Sequence, residues 1–226
     1  MEAKKYYFLE SKNNVADLYI FGDITSWPWS ESDVSASGIV KELQSLEASE
    51  INVHINSYGG EVAEGLAIYN TLKNSDMKVT TVCDGFACSA ASVIFMAGDE
   101  RVINEASLLM IHNAWTYTSG NAEELRKAAE DLDKITQASV NAYMSRVSIS
   151  EDKVRELMDN ESWITADEAV EYGFATKTEK NDDDGIKQSA FGIIRNAVTK
   201  TEIAPVQQAE LVVDAHALAE EVANKL

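Results

Sequence analysis

Cysteine, proline and histidine are scarce in this chain. Its 226 residues include two cysteines, two prolines and three histidines. Cys83 and Cys88 lie five positions apart in one apolar segment with no second pair, so the sequence indicates neither a zinc site nor a disulfide framework. We expect both thiols to be reduced core residues, and we expect the protein to need no cofactor, whether metal or nucleotide.

Basic residues and long apolar runs are also in short supply. The chain has 19 basic and 38 acidic residues, a net charge of −19. This charge repels phosphate backbones and anionic lipid surfaces, which disfavours nucleic acid as a partner. No stretch approaches the roughly 20 apolar residues that span a bilayer, and the N-terminus lacks a signal-peptide core. We therefore expect a cytoplasmic protein without nucleic-acid or membrane partners.

Strand-like and helix-like segments alternate through the first half of the chain. The predicted strands cover 17–23, 50–57, 78–83 and 107–112, and the helices between them cover 32–46, 62–72 and the segment after Ser89. This alternation predicts an α/β fold with a largely parallel sheet. In such folds the functional loops lie at the carboxyl ends of the strands.

A long amphipathic helix is predicted over 120–146. Asn121, with Glu124 three residues later, forms a capping-box pattern at its start. Its apolar stripe is narrow, which suits packing against another subunit and suits an ordinary surface helix equally well. A second capping-box pattern, Thr165 with Glu168, predicts a short helix that stops at Gly173.

The composition changes beyond residue 177. Residues 177–185 are mostly charged, and the remainder to Leu226 is rich in Ala, Val and Glu. These features predict a first domain over 1–176, followed over 177–226 by an acidic linker and a partly helical tail. The tail lacks the bulk for a core of its own, so we expect it to dock onto a partner or to be partly disordered.

Ser89 is the first candidate for chemistry. It lies where an apolar strand-like run meets small residues and then a helix-like run. A serine at such a turn exposes its hydroxyl, and the free N–H groups of the following helix can stabilise a negative charge beside it. Small residues at this place are equally typical of tight strand-to-helix packing.

A serine nucleophile needs a base, and elimination among the histidines favours His112. His216 lies in the predicted tail, and His54 lies inside a strand beside polar neighbours, where we expect a structural role. His112 ends an apolar strand and precedes a polar loop, so its imidazole can reach a site at the edge of the sheet. A hydrogen-bonded core histidine is the alternative.

Four segments, in this order, resemble the caseinolytic (ClpP) serine peptidases, over about residues 17–176. They are the oxyanion segment Asn56-Ser-Tyr-Gly-Gly60, the nucleophile turn Gly85-Phe-Ala-Cys-Ser89, the base segment Met110-Ile-His112, and Ser162-Trp-Ile-Thr-Ala-Asp-Glu-Ala-Val-Glu-Tyr-Gly173. The 29-residue separation of Gly60 from Ser89 also matches the family pattern and selects Ser89 over Ser92. The resemblance implies a ClpP/crotonase-like superhelix of repeated ββα and βαβ units with a long projecting handle helix.

The resemblance also implies roles for single residues. Carried over by position, Ser89 is the nucleophile and His112 the base, while the backbone N–H groups of Gly60 and Ala90 form the oxyanion hole. The position of the family's aspartate is held here by Glu161. A glutamate can orient an imidazole as in other triads, so Glu161 is the favoured acid and Asp159 is held in reserve.

Departures from the family pattern indicate a subfamily. Tyr58 replaces the proline of the oxyanion segment, the first strand starts within about 17 residues, and the tail is acidic. These features, with the Glu161-Ser-Trp variant, most resemble the ClpP-related head maturation proteases of bacteriophages and prophages. The resemblance implies a heptameric ring or double ring, ATP-independent cleavage of capsid or scaffold precursors, and a place in the bacterial cytoplasm or inside a prohead. The early first strand leaves partnership with an unfoldase ATPase in doubt.

The sequence is also compatible with two other functions. An enoyl-CoA hydratase-like enzyme has a related fold with glycine-rich oxyanion loops, but it would leave the pairing of Ser89 with His112 unexplained. A peptidase fold that has lost activity and serves as an assembly module is compatible with the altered acid position.

Overall fold

The structure, a computed structural model, describes residues 8–12, 14–30, 32–44 and 46–180. The strands in this part of the chain are β1 (Phe8–Lys12), β2 (Val15–Ile20), β3 (Glu50–Ser57), β4 (Lys78–Cys88), β5 (Glu100–Asn104), β6 (Leu108–Ile111), β7 (Ser162–Ile164) and β8 (Lys177–Glu179). The helices are α1 (Ala36–Gln44), α2 (Val62–Lys73), α3 (Ala90–Phe95), α4 (Ala122–Met144), α5 (Glu151–Asp159) and α6 (Ala166–Glu171). The predicted alternation of strands and helices is confirmed.

The strands form one mixed sheet with a mainly parallel centre. Its main order is β1-β2-β3-β4-β5-β8, in which β1 is antiparallel to β2 and the other neighbours are parallel. The strand β6 pairs in parallel with β4, and β7 pairs antiparallel with β6. The prediction of an α/β fold with a largely parallel sheet is therefore confirmed.

The long strand β4 changes its neighbour along its length. Its first part, Thr80–Cys83, pairs with β5, whereas Phe86–Cys88 pairs with Leu108–Met110 of β6. Because β4 and β6 are parallel here, their carboxyl ends lie side by side. This arrangement places Ser89, which follows β4, next to His112, which follows β6.

The apolar face of the sheet packs against the helices. In β2 and β3 every second residue is buried, and all six residues of α3 are buried. Such period-two burial is expected of strands that place one face on a core. Cys83 and Cys88 are buried and unbonded to each other, as predicted. The junction of β4 and α3 at Ser89 therefore rests on a closely packed support.

The long helix α4 is anchored at one end only. Asn121 and Glu124 form the predicted capping box, and the buried residues of α4 begin at Thr136. The first half of the helix thus projects from the domain with both exposed polar residues and exposed apolar ones. The second predicted capping box, Thr165 with Glu168, begins α6.

Several elements differ from the prediction. Residues 85–88, expected as a turn, continue β4, in which Phe86–Cys88 pair with β6. Strands β1, β5, β7 and β8 were not predicted, and β8 occupies the first three residues of the predicted linker. The division of the chain near residue 176 otherwise stays a prediction, since residues 181–226 lie outside the described part. No helix of the described residues is long and apolar enough to cross a membrane.

Candidate active site

Ser89 lies at the junction of β4 and α3 in an unusual backbone conformation. Its φ and ψ angles are 54° and −124°, a region that residues with a side chain rarely adopt. The Ser89 N–H donates to the carbonyl of Met110 at 2.9 Å, so β6 holds the turn from one side. Gly59 approaches so closely that a Cβ atom there would lie 2.8 Å from the Cβ of Ser89. Such a sharp junction presents the hydroxyl at the end of the strand.

The imidazole of His112 reaches this hydroxyl directly. The Nε2 atom of His112 lies 2.7 Å from the Oγ atom of Ser89. In the tautomer with its proton on Nδ1, the ring accepts the Ser89 proton at Nε2, which is the arrangement a general base requires. The side-by-side ends of β4 and β6 produce this contact.

Two backbone N–H groups are available near Ser89. Ile24 donates to the Gly59 carbonyl at 2.9 Å, and the Glu61 N–H donates to the Ile24 carbonyl at 2.8 Å. Because N–H groups alternate in direction along an extended segment, the Gly60 N–H faces away from Ile24. The Ala90 N–H opens α3 and has no carbonyl partner within the helix.

The acidic candidates lie on the turn between α5 and β7. The antiparallel register pairs Ile111 with Ser162, so the next step along both chains sets His112 opposite Glu161. Glu161 has a φ of 47°, in the left-handed region. The Asp159 carboxylate instead accepts a hydrogen bond of 2.8 Å from the side chain of Asn113. Within the described residues, no hydrogen bond joins His112 Nδ1 to either acid.

Ser89, His112, Gly60 and Ala90 border a cavity of about 580 Å³, whereas neither Asp159 nor Glu161 is among its lining residues. Val62, Val93 and Met110 give it apolar walls, and Asp23 and Glu61 add carboxylates. Hydrogen bonds from the hydroxyls of Thr25 and Ser26 and from the Ser26 N–H hold the pKa of Glu61 below its ordinary value. The described residues contain no group of three His, Cys, Asp or Glu side chains suited to a metal ion.

The sequence of this chain matches a known protein family. The Clp protease family profile matches residues 28–182, more than half of the chain. The chain belongs to the Clp protease family. Its mixed α/β fold is consistent with that family, and the match supports the predicted resemblance to the ClpP peptidases.

Three similar bacterial proteins share the name ATP-dependent Clp protease proteolytic subunit. The protein from Deinococcus radiodurans is 34% identical over 144 residues, which cover 61% of this chain and 71% of that protein. The one from Bacteroides fragilis is 33% identical over 147 residues, covering 62% and 71%. The one from Porphyromonas gingivalis is 33% identical over 156 residues, covering 66% and 70%.

His54 and Ser92, two alternatives to His112 and Ser89 in this Clp family member, take no part in the contact between those two residues. His54 lies in β3, with Nδ1 2.8 Å from a carboxylate oxygen of Asp84 and its ring stacked on Tyr19. This partnered position agrees with the predicted structural role. His216 falls outside the described residues. Ser92, the alternative serine, is buried and donates its hydroxyl proton to the Ser89 carbonyl.

Three neighbours of the site were not predicted from the sequence. Asn113 donates a hydrogen bond to Asp159, and Ile24 is hydrogen-bonded to the residues on both sides of Gly60. Tyr143, 51 positions further along the chain than Ser92, is hydrogen-bonded to it. Asn113 directly follows His112, so adjacency to the predicted base was an available signal. No local pattern indicates the other two contacts, because they depend on how distant elements pack.

Proposed function

We propose that this Clp family protein is a serine endopeptidase that uses Ser89 as its nucleophile and His112 as its base. The contact of 2.7 Å between His112 Nε2 and Ser89 Oγ carries the proposal. His112 accepts the hydroxyl proton as Ser89 Oγ attacks the scissile carbonyl carbon. The same proton then passes to the leaving amine, and water repeats the sequence to release the acyl group from Ser89.

The Gly60 and Ala90 N–H groups stabilise the oxyanion in this proposal. Both border the cavity that contains Ser89, and neither has a backbone acceptor among the hydrogen bonds of the described residues. Fixed donors of this kind act where charge develops in the transition state, and removing one costs about 10²–10³ in kcat.

Glu161 is the proposed third member of the triad. Continuing the β6–β7 register by one residue pair places Glu161 opposite His112, which supports this role. The Asp159 carboxylate instead accepts a hydrogen bond from Asn113. A carboxylate beside Nδ1 holds the imidazole in the tautomer that accepts the Ser89 proton. A rotation of the Glu161 side chain toward Nδ1 would complete the triad.

We further propose that the protein assembles with itself, as a heptameric ring or double ring, through α4 and the sheet edge. Leu125 and Ile135 on α4 are 43% and 41% exposed, although both are aliphatic. Removing apolar side chains from water is favourable, so a second copy that covered this part of α4 would be stabilised by their burial. The relatives are named as proteolytic subunits, which fits an assembled enzyme.

The proposed substrates are capsid or scaffold precursors of a bacteriophage or prophage, cleaved in the host cytoplasm or in a prohead. The resemblance to head maturation proteases, carried by Tyr58, the Glu161-Ser-Trp segment and the acidic tail, supports this assignment. The relatives' names include ATP dependence. For this chain we propose hydrolysis that requires neither ATP nor an unfoldase.

An inactive assembly module is the second candidate function. The observation that favours it is the lack of a hydrogen bond between His112 Nδ1 and an acid within the described residues. An enoyl-CoA hydratase-like activity would leave the Ser89–His112 contact without a purpose, and no observation favours it.

Hydrolysis of an unfolded polypeptide tests the proposal. The full chain is incubated with reduced, denatured casein with and without ATP, and Ser89→Ala serves as the matched control. We expect fragments from the parent protein at equal rates in both conditions, and none from Ser89→Ala. Strict ATP dependence would refute the ATP-independent assignment, and equal cleavage by Ser89→Ala would refute the nucleophile.

A further inference from the structure

A directed chain of hydrogen bonds leads from α4 to the nucleophile turn. The Ser92 Oγ atom lies 2.6 Å from the Ser89 carbonyl oxygen and 2.8 Å from the Tyr143 hydroxyl. A carbonyl can only accept, so Ser92 donates to it. This uses the single proton of the Ser92 hydroxyl, and Tyr143 must therefore donate to Ser92.

The carbonyl at the end of this chain shares a peptide unit with a proposed oxyanion donor. The Ser89 C=O and the Ala90 N–H lie in one planar group and point in opposite directions. The Ser92 and Val93 N–H groups also donate to this carbonyl, at 3.0 and 3.3 Å. Fixing the carbonyl direction therefore fixes the direction in which the Ala90 N–H points.

The strained backbone of Ser89 explains why the turn requires such a restraint. Ser89 adopts φ and ψ of 54° and −124°, a conformation that persists only where surrounding contacts hold it. Rotation of the Ser89–Ala90 peptide would relieve that strain and would turn the N–H away from the oxyanion. Hydrogen bonds to the carbonyl oppose this rotation.

The two hydroxyls lie in a closed environment. Ser92 and Tyr143 are each 1% exposed. The Tyr143 ring packs against Phe174 with centroids 5.7 Å apart. Burial raises the pKa of Tyr143 well above its ordinary value, so the hydroxyl keeps its proton and stays a donor. Neither hydroxyl is hydrogen-bonded to His112 or to Ser89 Oγ in the described structure.

We propose that Ser92 and Tyr143 are positioning residues that orient the Ala90 N–H toward the oxyanion. This inference rests on the proposed peptidase function and adds two residues to it. It also links the nucleophile turn to α4, the helix proposed to contact another subunit.

The test compares Ser92→Ala, Tyr143→Phe and the double variant with a matched control, Thr81→Val. The Thr81 hydroxyl is also buried and donates at 2.7 Å to the carbonyl of Phe95, at the opposite end of α3. Each single variant loses one buried hydroxyl, so the control reproduces that structural cost without touching the Ser89–Ala90 peptide. The readouts are Tm, kcat and KM for a fluorogenic peptide, and fluorophosphonate labelling of Ser89.

We expect kcat to fall about tenfold in Ser92→Ala. This fall is larger than the few-fold effect of one typical hydrogen bond and smaller than the roughly 10²-fold effect of losing an oxyanion donor. KM should stay within about twofold, because the lost interaction matters only in the transition state. Tyr143→Phe should show a smaller fall, and the double variant should fall no further than Ser92→Ala, because both hydroxyls act in one chain. Thr81→Val should keep the parent kcat.

Equal kcat in Ser92→Ala and Thr81→Val, with Ser89 still labelled, would overturn this inference and leave the proposed peptidase intact. An increase of KM with unchanged kcat would also overturn it, since this would indicate a role in binding. A parent protein that neither hydrolyses peptide nor takes the label would refute the peptidase itself, and with it the role of the pair.

Discussion

The side-chain amide of Asn113 donates to the Asp159 carboxylate at 2.8 Å. Asn113 directly follows His112, and Asp159 precedes Glu161 by two residues. This bond therefore connects the strand end that carries the proposed base with the turn that carries both acidic candidates. It holds one oxygen of Asp159, the acid in reserve, while the register of β6 with β7 sets Glu161 opposite His112.

Replacing each acid in turn separates the two candidates. We expect Glu161→Gln to lower kcat at least 10²-fold, because an uncharged partner stabilises the imidazolium poorly and no longer holds the correct tautomer. Asp159→Asn should stay within about threefold of the parent, because its amide oxygen still accepts from Asn113. The measurement is kcat for a fluorogenic peptide, and a larger loss in Asp159→Asn than in Glu161→Gln would reverse the assignment.

Gly60 should not tolerate a side chain. A Cβ atom there would lie 2.1 Å from the Ile24 carbonyl oxygen, and its φ of 147° is strained for other residues. We expect Gly60→Ala to displace the oxyanion donor and lower kcat about 10²-fold. Gly120→Ala is the control, since its Cβ would meet only the exposed side chain of Glu124 and no backbone atom. Unchanged kcat in a folded Gly60→Ala protein would contradict the proposed oxyanion hole.

The Glu61 carboxylate should give the protein a pH-dependent increment of stability. Its pKa is lowered by hydrogen bonds from Thr25 and Ser26 in the folded state, so this stability is present above the ordinary glutamate pKa of about 4.3. It is lost as the pH falls through the lowered value. We expect Glu61→Gln to reduce Tm by at most about 2 °C at pH 7, because solvent screens this exposed carboxylate, with the difference shrinking below pH 4.

Thermal melts between pH 7 and pH 3 measure this effect. Glu130→Gln, which replaces an exposed carboxylate on α4, is the matched control and should follow the parent curve. A Tm difference for Glu61→Gln that stays constant across the pH range would show that the charge of Glu61 contributes nothing.

The projecting half of α4 should carry the subunit contact. We expect Ile135→Lys to shift the assembly toward smaller species, because the charge cannot be buried in an apolar interface without a large cost. Lys134→Ala is the control, as its side chain is 75% exposed. Light scattering coupled to size-exclusion chromatography gives the mass. An unchanged mass for Ile135→Lys would exclude this residue from the contact.

The contact of Ser89 with His112 follows largely from sequence reasoning. Their positions at the ends of strand-like runs make both residues candidates, and the family resemblance selects them over the alternatives. Parallel pairing of β4 with β6 brings those strand ends together. The capping boxes of α4 and α6 were likewise predicted, because they depend on residues three apart. Local patterns are sufficient where the interaction itself is local.

Contacts that depend on tertiary pairing escaped prediction. The segment at Gly85 was expected as a turn because its small residues favour one, yet pairing with β6 keeps it extended. The three residues of β7 are too few to show a period, although their register determines where Glu161 lies. The Ser92–Tyr143 contact joins residues 51 positions apart, for which the sequence holds no pattern.

Labelling with a fluorophosphonate tests the central claim most directly, because the probe modifies an activated serine. The parent protein, Ser89→Ala and His112→Ala are treated in parallel, and the site is located by mass spectrometry of the digest. We predict one adduct, on Ser89, in the parent protein, none in Ser89→Ala, and labelling slowed by orders of magnitude in His112→Ala. A folded, assembled parent protein that takes no label, or an adduct that persists in Ser89→Ala, would contradict the claim that this Clp family member is a serine peptidase acting through Ser89.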